Sequence, residues 1–308
     1  MRALVVGSSS YVAGGLVQEL LATGADVTLV NRDQKQGSAA SPGLRTFSAD
    51  YSTLSGFREA LDGQDVVYYC SGLNRNAASV APDLAQYISS EVPRKLAELA
   101  DANGTLRFVY LSTVHVYGQA VSGKTDETSP TNPADAYARS RLSGETALLD
   151  SSFKGLKVKV ARLGNVFGWS PNMNESTSSL IGNDLCRQAS TTSEVIIRAN
   201  PNISRNFVPM RQVSIDLCRL GNSEEAHEDL YNLVWGSSQT LSDFGVRVKK
   251  QSWEALHKEI QVSFTQARSD VTKLEYSDVR IRQISNRIPE LFDSEIRSLL
   301  LKFSEGPA

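Results

Sequence analysis

Cysteine and histidine are scarce in this chain, with three of each in 308 residues. Cys70, Cys186 and Cys218 show no metal-ligand spacing and cannot all pair. That excludes a disulfide scaffold and a zinc module, and reduced thiols in a cytosol are the expectation. No run of about 18 apolar residues occurs, so nothing in the sequence reads as a membrane span. An excess of one charge is missing too. Against 32 Lys and Arg stand 34 Asp and Glu, a net charge of −2 without long runs of either sign. Nucleic acid is therefore not the expected partner. The start Met1–Gly7 lacks the apolar core and cleavage site of a signal peptide and reads as a strand. Internal repeats and low-complexity tracts are also absent.

What is present is an alternation of apolar strand patterns and helical patterns. Strands are expected at Ala3–Val6, Asp26–Val30, Leu44–Ala49, Asp65–Cys70, Phe108–Leu111, Val158–Leu163, Val195–Arg198 and Leu230–Trp235. Helical spacing marks Leu16–Ala22, Leu54–Leu61, Asp83–Ala102, the segment after Pro133, Leu180–Gln188, Gln212–Leu220, Leu241 to about Ile260, and Pro289–Phe303. Pro93 falls inside the third of these and is expected to kink it. The alternation predicts an α/β fold, a doubly wound parallel sheet. A chain of this length buries a large core, in one large domain or two joined ones.

Two stretches carry chemistry. After the first strand comes Gly7-Ser-Ser-Ser10-Tyr11-Val12-Ala13-Gly14-Gly15, then helix. Strand, small-residue turn, helix is the setting in which backbone N–H groups receive a pyrophosphate. At the end of the second strand stand neutral Asn31 and then Arg32. A guanidinium there can pair with a 2′-phosphate, whereas an acid would bind ribose hydroxyls. NADP is therefore favoured, with NAD as the alternative. The second stretch is Leu106–Glu145. Its strand ends in Ser112 and Thr113, and Tyr137 and Arg141 lie four residues apart on one helix face. A cation about 5 Å from a phenol, at an effective dielectric of ~20, favours phenolate by roughly 3 kcal/mol. That would bring a tyrosine from ~10 toward ~8 and let it exchange protons near neutral pH.

Ser112-Thr113, then Val116-Tyr117-Gly118, then Tyr137-x-x-Ser140-Arg141-x-x-x-Glu145 resembles the extended short-chain dehydrogenase/reductase family. This is its NAD(P)-dependent epimerase/dehydratase group, which acts largely on nucleotide sugars. Arg162-x-x-Asn165-Val-Phe-Gly168 and Arg205-Asn-Phe-Val are similar to further motifs of that family. The chain departs from the family at several positions, Asn206 for Asp and Pro209 for His among them, and three departures touch the chemistry directly. Arg141 replaces Lys, Ser10 and Ala13 replace two glycines of the turn, and Val114-His115 replaces the Asp-Glu of the dehydratases.

The resemblance implies a Rossmann-type domain over 1–165 with a returning segment at about 205–236. It implies a smaller, discontinuous substrate lobe from 166–204 and 237–308. Thr113, Tyr137 and Arg141 become the catalytic set. Gly7, Ser10, Tyr11, Val12, Asn31, Arg32, Asp50, Tyr51, Cys70, Ser71, Gly72, Tyr137 and Arg141 become the cofactor set, with Asp50 facing the adenine. Asn165, Arg205 and His115 are the expected substrate contacts. The implied activity is NADP-dependent reduction of a keto group on a nucleotide-linked sugar. The alternatives are an epimerase with resident NAD, a dehydratase ranked below it, and a catalytically silent cofactor-binding sensor. A homodimer in the cytoplasm and no metal are expected.

Overall fold

A computed structural model describes residues 1–31, 43–118, 123–267, 269 and 274–306. Arg32 lies outside the described residues. In the first part of the chain β1 (Arg2–Val6) runs through the glycine-containing turn into α1 (Tyr11–Ala22), followed by β2 (Asp26–Asn31) and β3 (Leu44–Ser48). Then come α2 (Phe57–Leu61), β4 (Val66–Tyr69), α3 (Arg75–Val80), α4 (Pro82–Gln86), a π-helical turn Tyr87–Glu91, and α5 (Val92–Ala102). Next are β5 (Arg107–Thr113), a 3-10 turn Val114–Tyr117, β6 (Gly123–Thr125), α6 (Ala136–Leu149) and β7 (Lys157–Leu163).

The second part alternates shorter elements: β8 (Asn165–Phe167), α7 (Glu175–Ser178), α8 (Ile181–Thr191), β9 (Glu194–Ile197), β10 (Ser204–Arg205) and β11 (Phe207–Pro209). It ends with α9 (Met210–Asn222), β12 (Leu230–Leu233), β13 (Gln239–Thr240), α10 (Leu241–Leu256), β14 (Gln261–Phe264), β15 (Leu274–Tyr276), α11 (Val279–Arg282) and α12 (Glu290–Ser304).

The main sheet has the order β12-β7-β5-β4-β1-β2-β3, and every neighbour pair is parallel. Strand order therefore reverses between β1 and β4. In open sheets of this kind the ligand crevice opens at that point, outside the carboxyl ends of the strands. The central strands β1, β4 and β5 are buried on both faces because helices cover both. Ala3, Val5 and Tyr68 pack toward α1 and α9, and Leu4, Val6 and Tyr69 pack toward α5.

Four helices differ from their sequence patterns. The helix expected from Leu16 begins at Tyr11, because the Ser10 hydroxyl caps it there. The expected Leu54–Leu61 helix begins only at Phe57, because Leu54 and Gly56 have φ of 59° and 84°. The expected Leu241–Ile260 helix stops at Leu256, where His257 turns left-handed. The Asp83–Ala102 helix does not simply kink at Pro93. It widens into the π turn just before it. There the Val92 amide bonds the carbonyl of Tyr87, and Pro93 has no N–H to give Ser89. The freed carbonyls of Ile88 and Ser89 accept instead from the buried phenols of Tyr69, at 2.6 Å, and Tyr110, at 2.8 Å. An unbonded buried carbonyl would cost about 1–3 kcal/mol, so the tyrosines of β4 and β5 make the detour tolerable.

A third apolar cluster joins Phe167, Phe207, Phe244 and Phe292 with Leu185 and Ile296. Beside it Glu295 is buried and accepts the Trp169 amide at 3.1 Å. Burial pushes its carboxyl up to about 7, against the pull of the Trp169 and Arg211 amides. The folded state thus favours the protonated form. Its contribution is fully present below the ordinary carboxylate range and is lost as pH rises through about 7. Glu295→Gln should therefore flatten the pH dependence of stability. At pH 8 the variant should exceed the wild type by up to about 3 kcal/mol, and by much less at pH 5. Calorimetric melting at the two pH values reads the difference. Equal gaps at both would place the titration elsewhere.

Candidate active site

The turn after β1 and the end of β4 meet at the switch point. Gly7 has φ of +75°, and a Cβ there would lie 2.7 Å from the backbone N and Cα of Ser71. Only glycine fits both demands. Ser10 has extended backbone, φ −71° and ψ 153°, so this position needs no glycine for its conformation. Its hydroxyl caps α1 by accepting the Ala13 amide at 3.3 Å. The hydroxyl proton remains to donate to a phosphoryl oxygen. The amides of Tyr11 and Val12, at the first two helical positions, precede any intrahelical acceptor. This cradle fits a pyrophosphate. Asn31 holds the turn from the side: its Oδ1 accepts from Ser8 Oγ at 2.8 Å and from the Ser9 amide at 3.2 Å. With Oδ1 engaged, the Asn31 amide nitrogen is the group left for a ribose or a 2′-phosphate.

From Ser71 the site continues to Arg141 on α6. Its Nη1 donates to the carbonyls of Ser71, 2.9 Å, and Leu111, 3.0 Å. The guanidinium lies against Gly72, in space that any Cβ there would fill. The sequence departure at Arg141 is thus matched by a glycine that makes room for the larger head. Arg141 Cζ is 5.7 Å from the centre of the Tyr137 ring, and that ring meets His115 edge-on at 6.4 Å. Asp135 caps α6 by accepting the Ala138 amide at 2.8 Å and so orients the first turn that carries Tyr137. Thr113, buried at the end of β5, accepts the His115 amide at 3.3 Å and keeps its own proton to give. Tyr137 and Arg141 therefore line one wall that begins at Gly7, and Thr113 ends the strand beside it, its oxygen on the amide of the His115 that meets the Tyr137 ring.

His115 is mostly buried, and burial with the charges of Arg75 and Arg205 pushes its imidazole down to about 4. It is neutral at ordinary pH and can accept or donate a single hydrogen bond from either side of the ring. Arg75 pairs with Asp135 at 2.9 Å, which brings a second guanidinium to the same wall. Asn165 lies on β8, whose partner β11 follows Arg205 closely, and its amide bonds the Asn206 carbonyl at 2.7 Å. Two of the three expected substrate residues thus border one small ladder, and His115 lies against Tyr137. Asn206, where the family has Asp, uses its amide in both directions. It accepts the Trp235 amide at 2.7 Å and donates to the Trp235 carbonyl at 3.2 Å.

Several residues of the expected cofactor set turn their side chains elsewhere. Cys70 packs in the core between sheet and helices, where burial pushes its thiol up to about 12. Tyr11 sends its hydroxyl to the Gly168 carbonyl at 2.5 Å, so only its amide faces the cradle. Tyr51 packs on Phe57 with ring centres 5.5 Å apart. Asp50 folds back: its Oδ1 accepts from the Ser52 amide and hydroxyl at 2.7 and 2.6 Å, which hold the carboxyl below its usual range.

Sequence reading missed the frame beneath the site. Glu145 of α6 and Arg162 of β7 form a buried ion pair at 2.5 Å, and Ser112 also bonds Glu145. Arg162 in turn lies over the Tyr117 ring at 4.6 Å, and the Tyr117 hydroxyl donates to Asn232 at 2.7 Å. These contacts tie β5, α6, β7 and β12 together. A charged residue in a buried strand, Arg162 in Val158–Leu163, was the available signal.

Among solved structures, a UDP-N-acetylglucosamine 4-epimerase from Methanobrevibacter ruminantium M1 superposes with a TM-score of 0.82 at 19% identity, covering 99% of this chain and 98% of that one. A dTDP-glucose 4,6-dehydratase of Streptomyces griseus is 27% identical over 179 residues, 54% of each chain. A dTDP-6-deoxy-L-talose 4-dehydrogenase (NAD(P)(+)) of Kitasatospora kifunensis is 26% identical over 249 residues, 78% of this chain and 75% of that one. The chain spans about half the length of most of the curated relatives it matches. Residues 3–215 match the NAD dependent epimerase/dehydratase family, more than half of the sequence and both chemical stretches within it, and the chain belongs to that family.

Proposed function

We propose that the protein is an NADP-dependent ketoreductase acting on a nucleotide-linked sugar. The observation that carries this reading is the wall from Gly7 through Ser71 and Arg141 to Tyr137, with Thr113 beside it. It gathers a phosphate cradle, a phenol and a strand-end hydroxyl at the switch point. When bound, the nicotinamide supplies the hydride. Tyr137 gives its proton to the sugar's carbonyl oxygen as that oxygen gains charge, and the Thr113 hydroxyl donates to the same oxygen. Arg141 holds a fixed positive charge beside the phenolate left behind and cannot itself relay a proton.

Reduction is favoured over dehydration by the residues after Thr113. The family's dehydratases carry Asp-Glu there, and the chain offers buried Val114 and His115, whose burial leaves it a weak base. The similarity to a 4-dehydrogenase described with NAD(P)(+) supports the same choice. Asn31 supports NADP because the residue that closes β2 is a neutral amide, with no charge of its own to repel a 2′-phosphate. Arg205, Arg75 and Asn165 would meet the nucleotide diphosphate. The reading includes a homodimer, supported by the exposed apolar side chains of Val80, Leu84 and Leu149 around α6.

An epimerase with resident NAD is the second reading, favoured by a UDP-glucose 4-epimerase of Lacticaseibacillus casei that is 28% identical over 186 residues. Incubation with NADPH and dTDP- or UDP-linked 4-keto sugars separates the two. The reductase should oxidise NADPH in step with the sugar and prefer it to NADH by about tenfold, the size of one good phosphate contact. Interconversion of nucleotide sugars with no net change in dinucleotide would replace the reductase by the epimerase.

A further inference from the structure

Two glycines that usually loosen a dinucleotide turn are replaced here by Ser10 and Ala13, while Gly14 and Gly15 follow without a role in the motif. The loop after β8 explains Gly14. Its Asn172 donates from Nδ2 to two carbonyls of the turn, Ser8 at 2.7 Å and Ser10 at 2.9 Å. Ser170 donates its hydroxyl to the Tyr11 carbonyl at 2.7 Å. A Cβ on Gly14 would run into Ser170 Oγ and approach Asn172 at 3.0 Å. Glycine there is what lets the loop come in. Gly15 serves a different contact, with Met210 and Ser214 of α9.

The same loop is fastened at its other end. The Tyr11 hydroxyl donates to the Gly168 carbonyl, the Asn183 amide group donates to that hydroxyl at 2.9 Å, and the Gly168 amide donates to Asn183 Oδ1 at 2.9 Å. A segment 160 residues away in sequence thus grips the turn from behind, by its carbonyls. Peptide planes are rigid, so fixing a carbonyl fixes the N–H on the far side of the same plane. For the Ser10 and Tyr11 carbonyls these are the amides of Tyr11 and Val12, which face the cradle; for the Ser8 carbonyl it is the Ser9 amide, which Asn31 Oδ1 receives at 3.2 Å.

We infer that Asn172 is a positioning residue for the dinucleotide: it holds the Ser8 and Ser10 carbonyls so that the first amides of α1 point at the pyrophosphate. Rigidity that a glycine-rich turn gains from the bound phosphate is here built in beforehand by the loop. Both of its partner atoms are acceptors, so the function needs a donor. Asn172→Asp keeps the shape and replaces that donor with a carboxylate facing two carbonyl oxygens.

The inference rests on the dinucleotide reading above, and the test keeps the two apart. Dissociation constants are measured for NADPH, NADH, ADP-ribose and AMP with wild type, Asn172→Asp and Asn172→Ala. The expected result is at least a tenfold loss for NADPH, NADH and ADP-ribose in Asn172→Asp, and a smaller loss in Asn172→Ala. AMP, which has no pyrophosphate, should keep its affinity within about twofold. If Asn172→Asp does not fold, Asn172→Ala gives the same comparison without an added charge. Unchanged affinities, or a loss that is as large for AMP as for ADP-ribose, would overturn the inference. A wild type that binds none of the four would overturn the dinucleotide reading itself.

Discussion

Tyr137→Phe is expected to lower turnover of a nucleotide-linked keto sugar by about 10²–10⁴-fold, the usual weight of a positioned general acid. The substitution removes one oxygen. The ring that meets His115 at 6.4 Å and faces Arg141 at 5.7 Å remains, so packing on α6 is preserved. Thr113 can still hydrogen-bond the carbonyl oxygen, but a threonine hydroxyl is far too weak an acid to deliver its proton at neutral pH. The loss should therefore fall on kcat, with NADPH affinity unchanged, because the cradle at Gly7 and the Arg141 contacts to Ser71 and Leu111 are untouched. Steady-state kinetics together with a binding titration separates these quantities. Turnover within about threefold of wild type would move the acid to another residue.

The second large effect is expected from Gly7→Ala. A φ of +75° costs an ordinary residue roughly 1–2 kcal/mol. The added methyl would also lie 2.7 Å from backbone atoms of Ser71, and overpacking of that kind adds about 1–3 kcal/mol. Neither side can yield cheaply. Gly7 bonds the Val30 carbonyl at 3.0 Å through its own amide, and the Ser71 carbonyl is held by Arg141. Relief would come from parting β1 and β4 at their carboxyl ends, where the crevice opens. The variant should lose about 2–5 kcal/mol of stability and its measurable affinity for NADPH, as read by urea unfolding and titration. A variant as stable as wild type, with full affinity, would mean that the turn is loose enough to move aside.

The parallel sheet was legible from the sequence because its strands are short apolar runs set between helical patterns, and Ala3–Val6 and Val158–Leu163 carry that signal plainly. The closeness of Tyr137 and Arg141 was legible because one helix face carries both. The loop that grips the turn was not. Ser170 and Asn172 lie in a polar segment with no periodicity, and nothing local tells an amide that it will meet carbonyls about 160 residues earlier. The same limit applies to Tyr11, whose position in the turn suggests a cofactor contact. Its hydroxyl is drawn instead to Gly168 by a part of the chain that no local pattern connects to it. The π turn before Pro93 belongs to this group as well. A proline predicts a broken bond, but only the facing Tyr69 and Tyr110 decide how the break is absorbed.

The central claim is that one wall, from the Gly7 turn to Tyr137, holds a dinucleotide with its nicotinamide facing Thr113 and Tyr137. A crystal structure of the protein with NADPH bound tests it most directly. The account predicts the pyrophosphate at the amides of Tyr11 and Val12, and the nicotinamide C4 close enough that a sugar carbon about 3–3.5 Å from it would bring its oxygen within hydrogen-bond reach of Tyr137. A dinucleotide bound away from Gly7, or one whose nicotinamide turns away from Tyr137, would contradict it.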